Sequence, residues 1–253
     1  MANKKINKKL FSTKEGMRFS ASSALSNATL LLIACALWTF ILQSLLGISA
    51  TNIFKAILLY ISPIFTVVAY VMVFNALKKE QQATTLDKSA SPDKFLRILS
   101  FLVIAELAVT FLVFMFYTVL SFRLKSVISS STDDITYYNA TKLLTRMKVI
   151  ANGIDKVFSV TNISAIFIGK IYISEQSDLR LHNFSFVAVL TTLISFLLIL
   201  INYILQFIGK SNTIYSAFAN LTIYAVYFTH YITFEARKEK YRKILLSEEE
   251  ENG

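Results

Sequence analysis

The residues with the strongest claim to chemistry are two ionisable side chains inside apolar runs. Glu106 lies in Val103-Ile-Ala-Glu-Leu-Ala and Lys170 in Phe167-Ile-Gly-Lys-Ile-Tyr. A charge at the centre of a membrane helix costs about 2.5–3.5 kcal/mol on insertion scales, so each needs a reason to be there. One reason is an ion or proton pathway. The other is mutual neutralisation that fixes two helices. If the two segments run antiparallel, Glu106 lies roughly 4–5 Å and Lys170 roughly 6 Å to the same side of the bilayer centre, at about 1.5 Å per residue. The depths match, and the expectation is a Glu106–Lys170 pair.

A second pattern runs through the last apolar segment. Ser216, Asn220, Tyr224, Tyr227 and Tyr231 follow one another at spacings of four, four, three and four. Those spacings put all five on one helix face. Hydroxyls and amides bond poorly with lipid tails and well with a neighbouring helix, so the stripe reads as a helix–helix seam. A ligand groove is the alternative. His230 falls one position off this stripe and reads as an interfacial anchor. His182 sits in a polar connection.

Other chemistry is excluded by what the sequence lacks. With two histidines and one cysteine there is no H-E-x-x-H pair and no Cys/His metal cluster. No G-x-S-x-G turn and no glycine-rich phosphate loop occurs. Asp133-Asp134 stands in a serine-rich stretch with no third ligand near it in sequence and reads as a turn. Cys35, inside an apolar run, has no disulfide partner and reads as a buried thiol. The expectation is a protein that is not an enzyme, with no metal and no cofactor.

The elements that would carry these residues are long apolar helices. Of 253 residues, 55% are hydrophobic and 17% charged, and mean hydropathy is +0.54. A soluble domain is usually about 25% charged. The charges are also segregated. Lys55 is alone between Ala21 and Leu77, and Glu106 is alone between Ile98 and Phe122. Runs of about 20 apolar residues cross hydrocarbon as helices that satisfy their own backbone. Five such spans are plain: Asn27–Gly47, Phe54–Leu77, Ile98–Phe122, Phe184–Ile208 and Ile214–Phe234. A shorter segment, Val157–Ile173, carries Ser159, Thr161, Asn162, Ser164 and Lys170.

Charge at the ends decides the count. Lys4, Lys5, Lys8, Lys9, Lys14 and Arg18 precede the first span, and Arg237, Lys238, Lys240, Arg242 and Lys243 follow the last. Both ends favour the cytoplasmic side. Two ends on one side require an even number of crossings, which makes 157–173 a sixth span. The fold expectation is therefore all-α: a polytopic membrane protein of six transmembrane helices. Residues 1–23 form a basic cytoplasmic segment, 24–236 the helical membrane domain, and 237–253 a charged cytoplasmic tail ending in a solvated, disordered acidic run, Glu248–Glu251.

This topology puts the loop Arg123–Lys156 outside, although it carries six cations, which runs against the positive-inside rule. Within that loop, Leu143, Leu144, Met147, Ile150 and Ile154 recur at helical spacing among Lys142, Arg146 and Lys148. They read as an amphipathic helix between spans three and four. The basic N-terminus precedes an apolar run too long for a signal peptide, so the first span reads as uncleaved. The ends Leu77-Lys-Lys-Glu and Ala236-Arg-Lys-Glu make the first and last helix pairs faintly alike.

Net charge is +10. No nucleic-acid module accompanies it, and anionic lipid is the simpler counterpart. Within the six spans only Pro63 and Gly169 would break a helix, whereas transporters are built on broken helices. The expected role is a non-catalytic membrane subunit or scaffold, with lipid and other membrane proteins as partners. The alternative is a small channel or secondary transporter using Glu106 and Lys170.

Overall fold

Capping side chains mark where three of the helices begin. Thr13 accepts a hydrogen bond from the Gly16 amide at 3.1 Å and starts α1 (Lys14–Phe40). Asp133 accepts from the amides of Ile135 and Thr136 at 3.3 and 3.2 Å and starts α4 (residues 134–147). Asp178 accepts from the Leu181 amide at 3.2 Å and starts α5 (Leu179–Phe207). Each side-chain oxygen replaces an acceptor that the first turn lacks. The remaining helices are α2 (Ile53–Thr85), α3 (Lys94–Ser130) and α6 (Thr213–Glu251).

The structure is a computed structural model that describes residues 11–42, 46, 53–86, 94–130, 133–147, 149–151, 153–154, 157, 178–210 and 213–251. Among the described residues the chain is helical with no strand. Helix α5 stops at a glycine cap. Gly209 takes φ 75°, its amide bonds the Gln206 carbonyl at 3.1 Å, and the Lys210 amide bonds the Leu205 carbonyl at 2.9 Å. That geometry suits a residue without Cβ, and it turns the chain tightly back towards α6.

Helix α1 packs against α2 and α6, α2 also against α3, and α6 against α5. Small residues let α1 and α2 approach closely. Ala21, Ala28, Ala69 and Ala76 are all fully buried, with Leu25, Leu32, Tyr70, Val73 and Leu77 around them. The α5–α6 contact is different. The buried residues of α5 are Leu181, Ser185, Ala188, Thr192, Ser195, Ile199 and Asn202, alternately four and three apart. Ser195 bonds Thr222 at 2.9 Å, and Ser216 donates to Asn202 Oδ1 at 2.8 Å.

The outer faces are apolar. Phe101 and Leu112 on α3 are 68% and 64% exposed, and Leu193 and Leu197 on α5 are 52% and 54% exposed. Two helical stretches among the described residues, Lys14–Trp38 and Leu179–Phe207, are long and apolar enough to cross a membrane.

The helices outrun the expected spans. Helix α1 begins at Lys14, inside the basic segment 1–23, because Thr13 caps it and Gly16, Ala21 and Ser22 already lie against the bundle. Helix α6 continues through residues 237–251, so Glu248–Glu251 is helical rather than disordered. The cause is packing: Tyr241 and Leu245 are buried one and two turns beyond Arg237. Asp133 is a helix cap, not the turn that its serine-rich setting suggests. The amphipathic helix expected before span four coincides with α4 over 134–147. The sixth candidate span, 157–173, lies outside the described residues apart from Val157.

Candidate functional site: a charge lock at one end of the bundle

Arg237 lies on the buried face of α6, between Val226, His230, Thr233 and Phe234 on one side and Tyr241 and Leu245 on the other. The residue is 2% exposed. Its Nη1 donates to Ser22 Oγ on α1 at 3.2 Å and pairs with the Glu80 carboxylate on α2. One side chain thus joins three helices. Ser22 passes the contact on by donating to the Arg18 carbonyl at 2.8 Å. The Tyr241 ring, one turn along α6, lies 5.2 Å from the Arg237 guanidinium carbon and 5.9 Å from that of Arg18. Arg18 Nη1 also donates to the Tyr241 hydroxyl at 3.4 Å.

Two carboxylates extend the cluster. Glu235 accepts from Ser26 on α1 and from Lys238 at 2.7 Å. Partial burial alone would raise its pKa, but the hydrogen bonds from Lys238 and Ser26 outweigh this and hold it below the usual range. Asp178 pairs with Lys240 at 3.5 Å. There too burial pushes the pKa up, while the Leu181 amide and the Lys240 charge bring the net shift down. The arrangement is ion-paired and hydrogen-bonded, with Arg18 resting on Tyr241 rather than on a carboxylate. It can hold helix register, and it offers neither a nucleophile nor an open acid–base pair. Among the described residues, no group of three or more His, Cys, Asp or Glu side chains could hold a metal.

Glu106 is 1% exposed and accepts a hydrogen bond from the Tyr70 hydroxyl at 3.2 Å across α2 and α3. Tyr70 lies roughly 15 Å along α2 from Glu80, at about 1.5 Å per residue. The expected partner Lys170 lies outside the described residues.

The five residues of the α6 stripe do not share one environment. Ser216 bonds Asn202, Tyr227 is buried, and Tyr231 is half-buried. Tyr224 is half-buried and donates to the Ala36 carbonyl of α1 at 3.1 Å. Asn220 departs from the expectation and is exposed, while Ala219, Ile223 and Val226 face the bundle. The buried face of α6 is centred beside the polar stripe, so the long tyrosines reach across and the short Asn220 does not. His230 is likewise not an interfacial anchor. It is 1% exposed, and neither ring nitrogen has a hydrogen-bond partner among the described residues. At the other end of the α1–α6 interface, Ile33, Leu37, Phe40, Leu221, Tyr224 and Phe228 line an apolar groove of about 420 Å³.

Sequence reasoning misses the Arg237–Glu80 contact, because Arg237 reads as one of the cations of the charged tail. The signal was present in the matching helix ends. Leu77-Lys-Lys-Glu80 supplies the acid and Ala236-Arg237-Lys-Glu supplies the base.

Comparison of the chain with models of known families, with curated proteins and with solved structures finds no match.

Proposed function

We propose that this chain is a non-catalytic integral membrane subunit or scaffold, which crosses the bilayer six times with both termini on the cytoplasmic side. The observation that carries the membrane reading is the inverted helix α5. Its buried face is made largely of Ser185, Ala188, Thr192, Ser195 and Asn202, while Phe186, Leu190, Leu193, Leu197 and Ile204 point outward. In water the opposite arrangement is favoured, because burying large apolar side chains drives folding. In lipid the outward face costs nothing, and small or polar residues hold helices together.

Three contacts support an even number of crossings. Arg18 touches Tyr241, so the two ends of the helical domain meet at one end of the bundle. Gly153 lies against the Tyr203 ring near one end of α5, where an added Cβ would come within 3.1 Å of the ring. Asp178 meets Lys240 at the other end of α5. Those two places are roughly 37 Å apart along α5, at about 1.5 Å per residue.

The scaffold reading rests on the close approach of α1 and α2 at buried alanines and on polar groups paired between helices, Ser195 with Thr222, Ser216 with Asn202 and Arg237 with Glu80. Buried Glu106 favours the channel or transporter alternative. Purification from native membrane after mild solubilisation tests the choice: stable co-purification with other membrane proteins supports a subunit. Cation or proton flux by the pure protein in liposomes, abolished in Glu106→Gln, would replace that reading with the alternative.

A further inference from the structure

The cations at the Arg237 end fall into two groups. Four on α6 are matched by carboxylates: Arg237 with Glu80, Lys238 with Glu235, Lys240 with Asp178 and Arg242 with Glu239. Five on the other helices have no such pair among the described residues. Arg18 on α1 sits on Tyr241, and Lys79 on α2 donates to Ser20. Lys78 lies 4.8 Å over the Phe74 ring, Arg180 on α5 lies 5.6 Å over Phe184, and Arg97 on α3 is exposed. None of these five has a carboxylate partner among the described residues.

Their level on the bundle is shared. Lys78 and Lys79 adjoin Glu80, and Arg180 follows Asp178 by two residues. Arg97 precedes Glu106 on α3 by about the distance that Lys79 follows Tyr70 on the antiparallel α2, and Tyr70 and Glu106 are bonded. Just inward from these cations the exposed apolar faces start, with Ile98 and Phe101 after Arg97 and Phe186 after Arg180. Lys78 and Arg180 each stand over an aromatic ring at the edge of the apolar surface, a cation–ring arrangement that suits a membrane interface.

We propose that these five cations form a belt that binds the headgroups of anionic phospholipids in one leaflet. The apolar faces fix the belt at headgroup depth. An uncompensated ring of positive charge fits a plane of phosphates, whereas a single acidic peptide would reach only one side of it. Such attraction falls off with salt and within a Debye length. The inference rests on the membrane reading proposed above.

The test uses the full chain in nanodiscs of equal phosphatidylcholine and phosphatidylglycerol, followed by mild detergent extraction and mass-spectrometric counting of retained lipid. The expected result is enrichment of phosphatidylglycerol that declines with salt. The variant Lys78→Gln/Arg97→Gln/Arg180→Gln changes only exposed side chains, and it should lose on the order of fivefold in relative retention per cation. Lys142→Gln/Arg146→Gln on α4 should keep the enrichment. Equal retention of both lipids by the unaltered chain overturns the belt, as does full enrichment in the triple variant or its loss in the α4 variant. Co-purified RNA in place of phosphatidylglycerol also overturns it. A chain that retains no lipid and stays in solution without detergent would overturn the membrane reading itself.

Discussion

Arg18 on the first helix and Tyr241 on the last are in contact, with the guanidinium carbon 5.9 Å above the ring and Nη1 3.4 Å from the hydroxyl. The contact brings the start of α1 and the end of α6 to the same end of the bundle. It also explains why both helices outrun their apolar stretches: the ends are stapled by Arg18, Ser22, Arg237 and Tyr241 rather than released into solvent.

Both termini should therefore be labelled from one side. In a Cys35→Ala background, cysteines at Ser12 and Ser247 should react with an impermeant maleimide in the same membrane orientation. Labelling from opposite sides would break the topology.

The Arg237–Glu80 pair should show the behaviour of a buried ion pair. Arg237→Met or Glu80→Gln alone strands one charge and should cost about 3–5 kcal/mol, read as a fall in thermal midpoint. Arg237→Met/Glu80→Gln should recover much of that loss, since neither charge is left without its partner. Additive losses would show that the two side chains act independently.

Stability should also fall in acid. Asp178 and Glu235 have pKa values below the ordinary range, so the folded state binds fewer protons there than the unfolded chain does. Their contribution is complete above the unfolded values, about 3.9 for Asp and 4.3 for Glu, and it is lost as pH drops through the lower folded values. Thermal midpoints measured from neutral pH downward should decline across that window. Asp178→Asn/Glu235→Gln should flatten the decline, and an unchanged profile would remove these groups from the lock.

How much of this was legible depended on the residue. Segregated charge marked the long helices, and the lone Glu106 marked a buried position, because a charge inside an apolar run must be compensated. Polar spacing on α6 was a poorer guide. It selected Asn220, yet burial follows Ala219, Ile223, Val226 and His230, which are offset beside it. In a membrane helix the buried face is chosen by close packing as much as by polarity, so a polar stripe locates the seam only to within part of a turn. Arg237 was hidden for a related reason. Sequence charge counting treats terminal cations as solvated, and only the packing of α1, α2 and α6 shows that one of them is enclosed.

The central claim is that α5 is inside out, and spin labels read this directly. Labels at Leu193 and at Ser195 in bilayers should differ in collision with oxygen, which concentrates in hydrocarbon, and with a water-soluble nickel chelate. Leu193 should show high oxygen and low nickel access, as a lipid-facing site, and Ser195 should show low access to both, as a site buried against Thr222. High nickel access at Leu193 would put that face in water and contradict the account.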